Sequence, residues 1–214
     1  MRGIFVWEQI KALKEHSKAE PSIIFPKPKL PFVPSRYLER RRGHLQDFLS
    51  PSQNQLGIPV NRPTYFFIPK NLRIRTYQYR NIIEREIDKG SYDLIHAHCL
   101  TPDGFAVSKL ATENILPVVV SARAGDLYRY DCFSTKIQDM TRQVLNSAHA
   151  IISMARYFDI FYRRLDVNLQ KVTYIPNGVD IGKFHYDVQK RKKLGLPEKQ
   201  KILLYVGRIK KKKG

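Results

Sequence analysis

Acidic side chains are in short supply: 19 Asp and Glu face 38 Lys and Arg across 214 residues, a formal net charge of +19. A field of that sign draws anions, whether nucleic acid, acidic lipid headgroups or phosphorylated small molecules, and does not choose among them. Cysteine is scarcer still. Cys99 and Cys132 are the two present, far apart and in no metal-binding spacing. That excludes a disulfide framework, makes a reducing cytoplasm the expected setting, and leaves both thiols to be buried as small apolar groups. No apolar run approaches the ~20 residues of a membrane span. The opening "MRGIFVWEQIKALKEH" turns charged too soon for a secretory signal.

Apolar residues are not lacking. At 43% they support a sizeable core and argue against wholesale disorder. Their spacing predicts helices over 4–14, a short stretch within 39–49, the segment 72–90, the segment after Pro102, residues 135–149 and residues 155–165. Within 135–149, Ile137, Met140, Thr141, Val144, Leu145 and Ala148 fall on one helical face. Ser153 is placed to cap the helix that follows it, although Arg156 stands where a capping box has an acid. Short apolar runs at 22–26, 63–69, 92–98, 116–123, 150–154, 171–180 and 202–206 predict strands. Strands alternating with helices, apolar on both faces, indicate an α/β fold: a Rossmann-like parallel sheet with helices on both faces.

Such sheets bind ligands beyond the carboxyl ends of their strands. Topology therefore gathers His96 and His98, then Ser121 through Asp126, then Ser153, then Asn177 and Gly178 along one edge. The pair His96 and His98 lacks a third ligand at a suitable spacing, so no metal is expected there; one buried, hydrogen-bonded imidazole and one at the cleft is the plainer arrangement. Gly125 allows close backbone approach to a ligand, and Arg123 offers a fixed cationic fork. From Lys190 to Gly214 there are eleven Lys or Arg and one acid, Glu198.

Five segments, in order, resemble family 4 glycosyltransferases of the GT-B fold: "GIFVWEQIKAL", "YDLIHAHCLTPDG", "LPVVVSARAGD", "KVTYIPNGVDIGKF" and "LGLPEKQKILLYVGRIKKKKG". The fourth is the most specific. The resemblance implies two Rossmann-like domains facing across a cleft. It implies residues 1–180 as the acceptor-side domain, 181–201 as an interdomain linker, and 202–214 as the first strand of a donor-binding domain, so that the chain is a fragment truncated at both ends. Arg208, Lys213 and Gly3 match the group that holds the donor diphosphate. Arg123 and Asp126 match the catalytic end of the third segment, with Arg123 standing where many members carry a histidine. His98, Asp103 and Gly104 match the acceptor-side cleft, and Asn177 and Gly178 the interdomain cleft.

The activity so implied is sugar transfer from a nucleotide-diphosphate sugar to a saccharide or lipid-linked acceptor, with retained configuration, no cofactor and no metal, in cell-surface polysaccharide or glycolipid assembly. The basic surface suits a cytoplasmic protein resting on an anionic membrane leaflet. Two other readings are a non-catalytic remnant and a nucleic-acid-binding module; charge and interleaved tyrosines permit the latter, but no recognisable motif supports it.

Overall fold

A computed structural model describes residues 4–29, 56–68, 71–185, 187–197 and 200–205. Gly3, Arg208 and Lys213, and the short helix expected within 39–49, lie outside the described residues. Two compact units are present, Met1–Gly178 and Val179–Gly214.

The first unit opens with α1 (Ile4–His16), which buries Ile10 and leaves Phe5 and Leu13 exposed. Two small parallel ladders follow. One pairs β1 (Ile23–Ile24) with β3 (Val60–Asn61); the other pairs β2 (Lys27–Lys29) with β4 (Thr64–Phe66). Helix α2 (Leu72–Ile87) starts where the Asn71 side chain accepts from the Ile74 N–H at 3.1 Å, satisfying one of the orphan donors of the first turn. Its Ile83 and Ile87 pack onto the core.

The main sheet is four-stranded and wholly parallel, in the order β5 (Ile95–Ala97), β6 (Val118–Ala122), β7 (Ala150–Ser153), β8 (Val172–Tyr174). Parallel neighbours need long crossovers. These are α3 (Phe105–Thr112), α5 (Thr135–Ser147) and α6 (Asp159–Arg164), with a one-turn α4 (Ala124–Leu127) after β6. Val118, Val120 and Ala122 on one face of β6 join Leu110, Val144, Leu145, Ile151, Phe158, Tyr162 and Leu165 in a continuous core. The apolar face expected on α5 is the one it buries: Met140, Thr141, Val144 and Leu145 are all inaccessible.

Between β5 and α3 the chain makes a wide π-type turn, Leu100–Gly104, including a cis Thr101–Pro102 bond, and closed by the Gly104 N–H donating to the Cys99 carbonyl at 2.9 Å. A Cβ on Gly104 would lie 2.8 Å from Val144 Cγ1 and 3.0 Å from the Cys99 carbonyl oxygen. Gly104 is thus a packing glycine beneath α5, buried and not lining a cleft.

Three further expectations are corrected. Ser153 ends β7 and does not cap a helix: its hydroxyl donates to the Ala155 carbonyl at 3.1 Å, and Ala155 occupies the cap position of the 3₁₀ turn Arg156–Phe158 that leads into α6. A residue still in ladder geometry, paired with Tyr174, cannot also supply the half-in conformation of a cap. Cys132 is exposed and Cys99 only half-buried, because Cys132 falls in the surface 3₁₀ turn Tyr130–Cys132. Residues 202–205 form no strand; Ile202, Leu203, Leu204 and Tyr205 are all exposed, and no ladder engages them among the described residues.

In the second unit a short helix α7 (Val188–Lys193) interrupts the segment expected to be a linker. Asp187 caps it, accepting from the Gln189 N–H at 2.9 Å. Gly195, at φ +64°, ends it: the Gly195 and Leu196 N–H groups donate back to the Lys192 and Arg191 carbonyls, an arrangement a residue with a Cβ adopts at a cost.

Gly104→Ala is expected to destabilise the protein by about 1–3 kcal/mol, because the blocking atom includes a backbone oxygen that cannot step aside. A lowered urea midpoint with an unchanged slope is the expected reading; an unchanged midpoint would show that the turn is free to open.

Candidate functional site

Register alone decides which side chains meet at the carboxyl edge. His96 is the ladder partner of Val119, and Ser121 of Ile152. By alternation His96, His98, Ser121, Arg123 and Met154 therefore share the face opposite Val118, Val120 and Ala122. The contacts follow. His96 Nε2 and Ser121 Oγ are 2.8 Å apart, and the His96 and His98 rings lie 4.1 Å apart at 33°.

Arg123 is the hub. Its Nη2 donates to His98 Nδ1 at 3.3 Å, while its Nη1 reaches Asn177 Oδ1 at 3.1 Å and Met154 Sδ at 3.4 Å. One guanidinium thus links the ends of β5, β7 and β8 from its own position at the end of β6. Because arginine only donates, His98 Nδ1 must be the acceptor and its hydrogen sits on Nε2, which has no hydrogen-bond partner among the described residues. Burial, with repulsion from Arg123 and between the two rings, pushes His96 down to about 4 and His98 to about 3. Both imidazoles are neutral across the physiological range.

Asp126 works on the backbone. Its Oδ2 accepts from the Arg123 N–H at 3.0 Å and the Leu100 N–H at 3.4 Å, clamping the loop after β6 to the wide turn after β5. Burial raises its carboxyl, and those two N–H groups with the Arg123 charge pull it back. Asp103, at the end of the wide turn, is pushed up to about 6 by burial and by Asp126, against an opposing pull from Arg75 on α2. Burial, with Asp103 and Asp126, also raises the Cys99 thiol to about 12, so this cysteine is no nucleophile.

Of the residues expected at the edge, His98, Arg123, Asp126 and Asn177 therefore come together, with Asp103 within electrostatic reach. Gly104 goes into the core. Gly178 and Gly125 are open, with nothing within 4 Å of an added Cβ. Met154 and Arg75 were not anticipated. Strand alternation after β7 points to Met154; Arg75 carries no local signal beyond its helix. A surface cleft of about 280 Å³ lined by Arg73, Phe105, Lys136, Met140 and Gln143 involves none of these groups.

A parallel sheet whose polar, cationic cluster sits at the carboxyl edge defines a Rossmann-like ligand-binding domain. Residues 32–183 match the profile described as Glycosyltransferase Family 4, and the chain belongs to that family. Among curated proteins it is similar to TuaC of Bacillus subtilis (strain 168), a proposed teichuronic acid biosynthesis glycosyltransferase, with 26% identity over 223 residues, covering 99% of this chain and 55% of TuaC. Two crystal structures of Anabaena Alr3699/HepE share the fold. The complex with UDP and glucose gives a TM-score of 0.51 at 17% identity over 81% of this chain and 50% of HepE. The complex with UDP alone gives 0.52 at 17% identity over 82% and 50%. The chain spans about half the length of these relatives. No described helix is long and apolar enough to cross a membrane.

Two predictions follow from the clamp and the buried titrating groups. Asp126→Ala leaves two N–H groups without an acceptor, so the Arg123 and Leu100 amides should exchange hydrogen faster and stability should fall by about 0.5–2 kcal/mol; unaltered exchange at both amides would refute the clamp. For the histidines, whose folded values lie below the ordinary 6.5, the unfolded chain binds more protons as pH drops, so stability is lost below about pH 6.5. Asp103, raised from 3.8 to about 6, acts in the opposite sense: the folded state binds its proton first and gains stability as pH falls through that window. Asp126, also raised by burial, acts in the same sense as Asp103, and the two imidazoles, displaced further, outweigh the two carboxyls. The urea midpoint should therefore decline between about pH 7 and pH 5, more steeply in Asp103→Asn and less steeply in His96→Gln/His98→Gln. A flat profile in the parent protein would contradict the assignment.

Proposed function

We infer that the protein acts in retaining glycosyl transfer, moving a sugar from a nucleotide-diphosphate sugar to a saccharide or lipid-linked acceptor during cell-surface polysaccharide or glycolipid assembly. Family membership supports the transfer chemistry. The name of TuaC supports a polysaccharide product, and the UDP and glucose in the HepE complexes support a nucleotide-sugar donor. The observation that carries the reading is the Arg123 hub at the carboxyl edge, a fixed cation surrounded by neutral acceptors and so free to face developing negative charge.

In this reading residues 1–180 form the acceptor side, 181–201 connect, and 202–214 begin the donor-binding domain. Arg208 and Lys213, with the backbone at Gly3, neutralise the leaving diphosphate, which removes the need for a metal. Arg123 steers the donor sugar, and Asp126 supports it by holding its backbone. Neutral His98 offers its Nε2–H to an acceptor hydroxyl, Asp103 belongs to the same acceptor side, and Asn177 and Gly178 edge the cleft. The protein is cytoplasmic, and its basic surface brings it to the anionic inner leaflet.

The test uses the protein carrying its donor-binding domain. Release of nucleotide diphosphate from a panel of UDP- and GDP-sugars should require acceptor, persist in excess EDTA, and give product with the donor's anomeric configuration. Arg123→Ala should lower it about 100-fold. Release abolished by EDTA, or an inverted product, would sink the reading.

A further inference from the structure

Just outside the Arg123 hub is a group of aromatic rings that the site does not use. Tyr128 and Tyr157 stack with centroids 5.4 Å apart and planes at 20°, yet are 63% and 58% exposed. Buried Phe158 meets both edge-on, at 5.8 Å and 6.2 Å, and Phe161 meets Tyr157 at 6.3 Å. Stacked rings held from beneath by a buried third ring are pre-organised, so a ligand that lies on them costs little ordering. Their position is fixed by the edge itself. Tyr128 ends the turn of α4 that begins at Arg123, Tyr157 comes three residues after Met154, and Arg123 and Met154 are in contact at 3.4 Å.

The charged residues next in sequence to the two tyrosines have one sign, and the Arg129 guanidinium lies over the Phe133 ring at 5.8 Å. Arg129 and Arg156, each next in sequence to one tyrosine, are exposed and form no ion pair among the described residues; Arg156 lies over the Tyr174 ring at 4.6 Å. The nearby carboxylates are spent: Asp131 is paired with Arg164 at 2.6 Å, and Asp159 accepts from the Tyr174 hydroxyl.

We propose that the Tyr128–Tyr157 ledge, with Arg129 and Arg156, is a binding surface for an acidic saccharide, the acceptor chain of the transfer reaction. This rests on the transferase reading and adds the surface and the acceptor's charge. Flat apolar rings receive the C–H face of a pyranose, and the two guanidinium groups receive its carboxylates in a fork geometry that lysine lacks.

The experiment is equilibrium binding of hexagalacturonate, of neutral maltohexaose and of phosphatidylglycerol vesicles to the 214-residue chain, without nucleotide-sugar. Hexagalacturonate should bind best. Tyr128→Ala and Tyr157→Ala should each weaken it about tenfold, and Tyr128→Phe and Tyr157→Phe should restore it. Arg129→Gln and Arg156→Gln should erase the preference over maltohexaose. These side chains are exposed, so far-ultraviolet circular dichroism, which reports the backbone, and the urea midpoint should be unchanged. No binding by the parent chain, equal binding by the alanine variants, or alanine variants that lose vesicles while keeping hexagalacturonate would overturn the ledge. Saccharide binding without nucleotide-sugar turnover would leave the ledge standing and remove the transferase reading, so the two fail separately.

Discussion

Everything at the carboxyl edge depends on a half-buried guanidinium that has, among the described residues, no carboxylate on its fork. A cation withdrawn from water needs compensation, and here neutral acceptors supply it: an imidazole nitrogen, an amide oxygen and a thioether, from three different strand ends. Those groups can converge because the sheet is parallel and in register, so that residues two apart on each strand look the same way. The carboxylate that stands closest, Asp126, is directed at backbone N–H groups instead. Charge remains on the arginine while its geometry is held, the combination electrostatic stabilisation requires.

The scaffold beneath is built to keep that edge still. Val118, Val120 and Ala122 are sealed by α3, α5 and α6, and the wide turn is pressed so closely under Val144 that only a glycine fits at 104. The clamp through Asp126 then passes this rigidity to the loop bearing Arg123. Packing, turn and hub form one mechanical sequence from the core outward.

Much of this was legible in the order of residues. The 3.6-residue spacing of Met140, Thr141, Val144 and Leu145 fixes the buried face of α5, and the apolar run at 118–122 marks a strand covered on both sides. The edge cluster follows from topology once the strands are placed. Four things escaped. Gly104 resembles a cleft residue because its neighbours are polar, and its burial depends on Val144, forty residues away. Ser153 looks like a cap because capping residues and strand-end serines share a chemistry; ladder pairing with Tyr174 decides between them. Helix α7 did carry its signals, Asp187 before it and Gly195 after it, but a run of lysines without apolar periodicity conceals a helix held by its ends. The run at 202–205 has strand-forming residues and no ladder, since β propensity has no effect without a neighbour to pair with.

The stacked imidazoles of β5 have a consequence for how the protein senses its surroundings. With Arg123 occupying the one nitrogen where a proton would add to His98, and burial guarding His96, the two imidazoles stay neutral over the range a cell experiences, and Asp103, pushed up to about 6, is the group of the cluster that titrates there. An acid load would register as a loosening of the whole domain and a proton on Asp103, while the imidazoles and the Arg123 guanidinium kept their charge state until the fold itself gave way.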